Sequence, residues 1–229
     1  KVVSFEALIR WLHPEKGLIA PNDFITLAEE TGMIVPICKW VLEQATYQLG
    51  EWQKRAGNSE ITISVNVSGR QLQEQTFVEE VRTAIERAGI AAKHLTLEMT
   101  ESVLLNDISS IVETLKSLRE IGVRLAIDDF GTGYSSLSYL RQFPVDILKI
   151  DRSFVSGIDL EEQDQALVEA IMSLGNVMHL ETVAEGIEEL GELDELKRLG
   201  CSLGQGFYFS RPVPASEASK LLGNRRRSK

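Results

Sequence analysis

The sequence has few of the residues that build disulfide frameworks and zinc sites. It contains only two cysteines, Cys38 and Cys201, and three scattered histidines in 229 residues. This excludes a disulfide-stabilised scaffold and makes zinc a poor fit. The sequence also lacks any apolar run near the ~20 residues that a bilayer crossing needs. We therefore expect a protein of the reducing cytoplasm, or the cytoplasmic domain of a membrane-anchored parent.

Positive charge is also scarce. The chain has 24 lysines and arginines against 34 aspartates and glutamates, a net charge of −10. Proteins that bind duplex nucleic acid by releasing counterions have the opposite balance, so DNA and duplex RNA are excluded as main partners. A small phosphate ligand stays compatible with this charge, because bound cations can invert the field of an acidic pocket.

Strand-like and helix-like segments alternate along the chain, which predicts parallel strands covered by helices. The predicted strands are residues 2–10, 61–68, 95–100, 123–129, 147–151, 180–185 and 203–209. The predicted helices are residues 22–53, 74–88, 102–121, 135–142, 161–177 and 188–199. Such a pattern fits either a doubly wound sheet or a closed barrel.

The phase of the strands favours the barrel. In residues 95–100, leucines and a methionine alternate with Thr96, Glu98 and Thr100, and residues 61–68 alternate in the same way. A doubly wound sheet would be apolar in both phases, whereas the second phase here becomes polar towards the strand ends. We predict an α/β fold of the TIM-like (β/α) barrel type, with seven of eight strands visible and an N-terminal helix and strand missing. The barrel domain should span residues 1–223, followed by a basic solvated tail, residues 224–229.

Each predicted strand ends in a polar side chain. On a closed barrel these ends meet at one mouth, and most of them are oxygen donors that suit Mg²⁺ or Mn²⁺. The residues are Glu6, Asn66, Glu98, Asp128 with Asp129, Lys149, Glu185 and Gln205.

The alternative reading for any one of these residues is a helix N-cap, the usual role of an acid or an asparagine after a strand. Asp107 is such a cap candidate before the following helical segment. Seven polar strand ends are harder to explain as caps. Crowded carboxylates also repel one another unless cations neutralise them, so the set predicts a metal site.

The segment DDFGTGYSS, residues 128–136, is the second distinctive feature. Because neighbouring residues of a strand point to opposite faces, Asp128 and Asp129 are expected to reach different places, a first cation and a second ion or water. Gly131 and Gly133 would let this loop bend over a ligand.

Several motifs together resemble one family. FEALIRW at residues 5–11, the 128–136 loop, LKID at 148–151, VAEGIE at 183–188 and QGF at 205–207 are similar to the signatures of the EAL-domain cyclic di-GMP phosphodiesterases. The resemblance covers essentially the whole chain in the right order. It implies a TIM-like barrel that hydrolyses cyclic di-GMP to linear pGpG with two Mg²⁺ or Mn²⁺ ions.

The resemblance also implies roles for individual residues. Those matched to metal ligands are Glu6, Asn66, Glu98, Asp128, Asp129 and Glu185. Glu6, Asp129, Lys149 and Glu185 match the groups that hold the metals and the attacking water. Arg10 matches a phosphate contact, and Leu8 and Gln205 are predicted to contact the substrate.

Glu101 is predicted to anchor the loop of residues 129–136, either through backbone amides or through Thr132, Ser135 or Ser136. The alternative is a favourable charge at the start of the next helix. Members of the family usually begin with a helix and a strand before the Glu-Ala-Leu strand. We expect both to be missing here, which agrees with the count of seven.

Two other functions remain open: a cyclic di-GMP receptor without turnover, and a Mg²⁺-dependent TIM-barrel enzyme of another phosphate ester. The intact set of ligands favours the enzyme over the receptor. By resemblance, we expect a homodimer and a parent protein with attached sensory or GGDEF-type domains.

Overall fold

The computed structural model describes residues 1–55, 59–105, 108–132 and 140–223. Its strands are β1 (Ser4–Ala7), β2 (Trp11–His13), β3 (Gly17–Ile19), β4 (Thr62–Asn66), β5 (Leu95–Thr100), β6 (Arg124–Phe130), β7 (Ile147–Ile150), β8 (Glu181–Ala184) and β9 (Leu203–Gly204). Its α-helices are α1 (Ile25–Thr31), α2 (Ile34–Gln53), α3 (Gly69–Leu72), α4 (Phe77–Ala88), α5 (Ile108–Ile121), α6 (Arg152–Val155), α7 (Glu162–Met178), α8 (Leu190–Arg198) and α9 (Ala215–Gly223). Among the described residues, no helix has the length and apolar character that a membrane crossing requires.

The central sheet has seven strands among the described residues, in the order β1-β4-β5-β6-β7-β8-β9. β1 pairs with β4 in parallel, and β6, β7, β8 and β9 pair in parallel one after another. A short antiparallel hairpin, β2–β3, stands apart from this sheet. Parallel strands place their carboxyl ends at the same edge, which is where the predicted site residues lie in sequence.

The chain divides into two compact units. Unit 1 comprises the described residues of 1–97, 109–123 and 214–223, and unit 2 those of 98–108 and 124–213. In unit 1, helix α2 packs on β4 and α4. Trp52 of α2 contacts the ring of Phe5, with ring centres 4.7 Å apart, and its indole nitrogen donates a hydrogen bond of 2.8 Å to Ser219 of α9.

Unit 2 contains the end of β5, strands β6 to β9, and helices α6, α7 and α8. α7 contacts β7 and β8, and its apolar residues Val168, Ile171 and Met172 are buried. The polar residue Glu98 of β5 is buried as well, with only 3% of its surface exposed. A sheet with polar residues buried opposite its apolar face agrees with the predicted barrel interior.

The structure corrects several predicted element bounds. The helix predicted over residues 22–53 is interrupted, because Gly32 adopts a left-handed conformation (φ 77°) that ends α1 before α2 begins. The strand predicted over residues 203–209 ends at Gly204. In the turn that follows, the amide of Ile187 donates to the carbonyl of Gln205, and the amide of Tyr208 donates to the carbonyl of Ile187. The strand predicted over residues 2–10 ends at Ala7.

Other elements carried no recognised sequence signal or lie outside the described residues. The β2–β3 hairpin and the helices α3, α6 and α9 are absent from the sequence-based prediction. Most of the helix predicted over residues 135–142, the cap candidate Asp107 and the tail of residues 224–229 fall outside the described residues.

Candidate active site

A buried lysine lies at the centre of a group of carboxylates in unit 2. Lys149 lies between Leu148 and Ile150 in β7, so its side chain points to the face of the strand opposite to theirs. Its ammonium nitrogen is 2.7 Å from Glu98 Oε2, 2.7 Å from Glu185 Oε1 and 3.1 Å from Asp128 Oδ1. The side chains of Lys149 and Glu98 are only 3% and 4% exposed. Three carboxylates therefore share one buried ammonium group, so negative charges outnumber positive charges in this group.

Asp128 and Asp129 bring carboxylate oxygens close together, although neighbouring residues of a regular strand point to opposite faces. Whether they bind different ions stays a prediction. The pairing of β6 with β7 shifts register between Ile127 and Phe130, and Asp129 adopts a left-handed backbone conformation with φ 53°. A bulge of this kind turns one residue out of the regular alternation. As a result, carboxylate oxygens of Asp128, Asp129 and Glu185 all lie within 4.8 Å of one another.

The crowding of these carboxylates shifts the pKa values of Asp129 and Asp151. Burial, the neighbouring charges of Asp128 and Asp151 and a hydrogen bond with Asp151 together raise the pKa of Asp129 to about 6, against the opposing effect of the Lys149 charge. Burial also acts to raise the pKa of Asp151, but hydrogen bonds from the hydroxyl and the amide of Ser153 outweigh it, so the net pKa is lowered. A bound cation would favour the ionised form of Asp129.

The donor set fits a hard divalent cation. Asp128, Asp129 and Glu185 offer only carboxylate oxygens, the ligands that Mg²⁺ and Mn²⁺ prefer. No histidine or cysteine belongs to this group among the described residues. The arrangement is therefore suited to binding a hard cation at the carboxyl ends of β6 and β8.

Glu101 contacts the loop that follows β6. It lies at the start of a 3₁₀ helix, Glu101–Leu105, and is 3% exposed. Its Oε2 accepts a hydrogen bond of 3.0 Å from the amide of Gly131, two residues after Asp129. Thr132, a predicted partner of Glu101, instead donates its hydroxyl hydrogen to the carbonyl of Asp129. The predicted partners Ser135 and Ser136 lie outside the described residues.

Unit 1 brings together two more of the predicted ligands. Glu6 of β1 is half-buried, and its Oε1 accepts a hydrogen bond of 2.7 Å from the side-chain amide of Asn66, the last residue of β4. The register of β1 with β4 places Glu6 beside Ser64, two residues before Asn66. Leu8 and Arg10 follow β1 and are exposed. The guanidinium of Arg10 donates to the carbonyl of Ile9 at 2.7 Å.

Gln205 lies just after β9 in unit 2. Its side chain is exposed, while its backbone amide donates to Ala184 at 2.8 Å and its carbonyl accepts from Ile187 at 3.1 Å. These backbone bonds fix the residue beside the turn that carries Glu185. The predicted contact with the substrate would therefore be made by the side chain of Gln205, which lies at the carboxyl end of β9.

Sequence reasoning gave no role to Asp151, although it lies in the quoted LKID motif. The structure places this carboxylate against Asp129 and at the N-cap of α6. A signal was available, because Asp151 directly follows the apolar strand that carries Lys149. The bulge at Asp129, which brings its carboxylate close to that of Asp128, had no such signal.

Comparison with known proteins identifies the family. The model of the EAL domain matches residues 1–212. The cyclic di-GMP phosphodiesterase NbdA of Pseudomonas aeruginosa is 44% identical over 222 residues, covering 97% of this chain and 28% of that protein. The cyclic di-GMP phosphodiesterase PdeR of Escherichia coli is 38% identical over 215 residues, covering 94% of this chain and 32% of that protein. The chain thus spans about a third of the length of these curated relatives.

Solved structures agree with this result. A complex described as PaMucR phosphodiesterase with c-di-GMP is 44% identical, with a TM-score of 0.88 over 93% of this chain and 86% of that chain. The EAL enzyme Bd1971, bound to cAMP and cyclic di-GMP, is 36% identical, with a TM-score of 0.91 over 96% of this chain and 60% of that chain. The predicted fold of the TIM-barrel type is confirmed by these matches. The chain belongs to the EAL domain family.

Proposed function

We propose that this chain hydrolyses one phosphodiester bond of cyclic di-GMP and releases linear pGpG in a reaction that depends on divalent cations. The observation that carries the proposal is the group of carboxylates around Lys149 and Asp129, which lies at the carboxyl ends of the strands of an EAL-family fold. Relatives named as cyclic di-GMP phosphodiesterases, and a solved relative in complex with c-di-GMP, support the choice of substrate.

The proposed metal ligands are the oxygen donors that the sequence predicts. We assign Mg²⁺ or Mn²⁺ as the cation and propose two ions, held by Glu6, Asn66, Glu98, Asp128, Asp129 and Glu185. Asn66 would use its amide oxygen, which the hydrogen bond from its nitrogen to Glu6 leaves available for a cation. When bound, such ions acidify water and stabilise negative charge on a phosphate.

Lys149 holds the acidic groups in place and supplies positive charge. Its buried ammonium donates a hydrogen bond to Glu98 and forms an ion pair with Glu185, which holds both carboxylates close to it before any ligand arrives. With cations bound to these carboxylates, the ammonium would be available to donate to the attacking water or to a phosphate oxygen. Water oxygen forms the new bond to phosphorus, and the bond from phosphorus to the 3′ oxygen breaks as that oxygen takes up a proton.

Three exposed residues are proposed to contact the substrate. Arg10 can leave the carbonyl of Ile9 and pair with a nonbridging phosphate oxygen, because a guanidinium suits phosphate geometry better than a single carbonyl. Leu8 offers an apolar surface and Gln205 an amide. Glu101 is proposed to fix the loop after Asp129 through the amide of Gly131.

The chain is proposed to act as one domain of a longer protein. Residues 1–223 would form the catalytic domain, with residues 224–229 as a basic tail. We propose a homodimer in the cytoplasm, joined in its parent to sensory or GGDEF-type domains. The relative MucR, named as a bifunctional diguanylate cyclase and cyclic di-GMP phosphodiesterase, supports such a fusion.

An assay with three substrate conditions tests the proposed function. The purified chain is incubated with Mg²⁺ or Mn²⁺ and one of two substrates, cyclic di-GMP in the first condition and bis-(p-nitrophenyl) phosphate in the second. The third condition contains cyclic di-GMP and excess chelator. Products are separated by chromatography. We expect pGpG only in the first condition. Binding of cyclic di-GMP without turnover would identify a receptor, and turnover of the generic diester alone would identify an enzyme with another substrate.

A further inference from the structure

Glu192 is a buried carboxylate without an assigned role. It is 5% exposed and accepts three backbone hydrogen bonds. Its Oε2 accepts from the amides of Glu188 at 2.8 Å and Glu189 at 3.0 Å, and its Oε1 accepts from Gly157 at 3.0 Å. Burial alone would raise the pKa of Glu192, but these amide hydrogen bonds outweigh it and the net pKa is lowered. The carboxylate is therefore ionised and fully engaged.

Helix capping explains only part of this arrangement. Glu189 is the N-cap of α8 and Glu192 its third residue, so the two form a capping box that accounts for the amide of Glu189. The amide of Gly157 belongs to the connection between α6 and α7, which is 35 residues earlier in the chain. Glu192 thus joins the loop after β7 to the loop after β8.

The same two loops touch at further points. A Cβ atom added to Gly186 would lie 2.3 Å from Cγ of Arg152, and one added to Gly191 would lie 2.2 Å from Oδ2 of Asp159. The guanidinium of Arg152 also pairs with Glu188 at 3.0 Å. We name these two segments, residues 152–159 and 186–192, the loop clasp. Its two glycines leave no room for a side chain between the loops.

Each half of the loop clasp begins next to a residue of the acidic group. Asp151, which is hydrogen-bonded to Asp129, directly precedes residues 152–159. Glu185, whose carboxylate lies within 4.8 Å of Asp128 and Asp129, directly precedes residues 186–192. A shift of one half of the clasp against the other would change the distance between Glu185 and Asp129.

We propose that Glu192 is a positioning residue that sets the spacing of Glu185 and Asp129, and so the affinity of this site for a divalent cation. The inference rests on the proposed function for its importance, since it concerns the same acidic group. It makes a claim of its own about cation affinity, which can be measured without substrate.

The test is a calorimetric titration of the purified chain with Mn²⁺ alone. Glu192→Ala should weaken the weakest resolved Mn²⁺-binding step by about 10-fold or more, the effect typical of residues that support metal ligands. Glu192→Gln keeps one acceptor oxygen and should fall between the parent and the alanine variant. In the assay, half-saturation by Mn²⁺ should shift in the same order, and excess Mn²⁺ should restore most of kcat.

A matched control separates positioning from general loss of stability. Asp146 accepts a hydrogen bond of 3.0 Å from the amide of Leu125 near the beginning of β6, at the opposite ends of these strands. Asp146→Asn should lower the melting temperature but leave Mn²⁺ affinity within about twofold of the parent, because distant sites act independently.

Two outcomes would overturn the proposal. The first is an unchanged Mn²⁺ affinity in Glu192→Ala together with a lower melting temperature, which would mean that Glu192 only caps α8. The second is a parent chain that binds no Mn²⁺. A parent that binds Mn²⁺ but leaves cyclic di-GMP intact would refute the proposed function, and the titration of the variants would still decide the role of Glu192.

Discussion

The two ends of the parallel strands in unit 2 hold charge in different ways. At the beginning of β6 and β8, Arg124 forms an ion pair with Glu181, and these side chains are 33% and 38% exposed. At the other end, one lysine with 3% exposure serves three carboxylates. A one-to-one pair in partial solvent is ordinary for a protein surface. A buried surplus of acids adds little to stability, so its presence indicates a cation-binding role.

Removing the buried lysine should have the largest effect. We expect Lys149→Ala to lower turnover by about 100-fold or more and to destabilise the chain by about 3–5 kcal/mol, because three carboxylates lose their cation. Mg²⁺ should raise the melting temperature of this variant more than that of the parent. Lys149→Arg keeps the charge and should recover more stability than turnover. Parent-like turnover in Lys149→Ala would show that the lysine is dispensable for the reaction.

Exchange of the cation sharpens the same comparison without a mutation. Replacing Mg²⁺ with Ca²⁺ should lower the rate by more than about tenfold, because Ca²⁺ prefers longer bonds of roughly 2.3–2.6 Å. Rates measured in Mg²⁺, Mn²⁺ and Ca²⁺ at equal concentration test this, with Mn²⁺ as the positive control. Equal rates in Ca²⁺ and Mg²⁺ would be incompatible with a site of short bonds.

The contact from Glu101 to Gly131 should have an intermediate effect. In Glu101→Ala the loop after Asp129 loses its hydrogen bond, so kcat should fall by about tenfold and more Mg²⁺ should be needed for half-maximal rate. Rate against Mg²⁺ concentration is measured beside the melting temperature. Ser102→Ala, which removes a hydroxyl bonded to Thr100, is the control and should change neither quantity much. A lower melting temperature with an unchanged rate would reduce Glu101 to a helix-capping residue.

The opposite strand ends should show the smallest effect. Arg124→Met is expected to change stability by only about 0–1 kcal/mol and to leave turnover unaltered, because the pair with Glu181 is partly solvated. Denaturant unfolding of the single variants and of the double variant with Glu181→Gln measures the coupling. A loss of activity in Arg124→Met would contradict the division of roles between the two strand ends.

Local patterns were sufficient to locate the seven strands of the central sheet and several of the longer helices. Residues 95–100 were predicted as a strand and form β5 with the same bounds, because alternation of apolar and polar residues is a local property. The fold class was predicted from the alternation of strands and helices and from the phase of the strands, and the EAL family from sequence motifs. Both are confirmed. The roles of the individual site residues stay predictions.

Features that depend on backbone conformation or on distant contacts could not be read in this way. Gly32 looked compatible with one long helix, and only its left-handed conformation reveals two. The meeting of Asp128 with Asp129 depends on one extra residue in β6 relative to β7. The position of Glu192 between two loops depends on Gly157, and no spacing in the sequence connects these residues.

The bulge in β6 has a consequence for how the proposed activity could be lost. Asp129 adopts a left-handed conformation that an aspartate tolerates but does not prefer, at a cost of order 1 kcal/mol. Deletion of that single residue would restore regular pairing of β6 with β7 and remove one carboxylate from a crowded group. The fold would thus gain from the change that removes the candidate ligand. A change that favours stability alone would therefore weaken the candidate cation site.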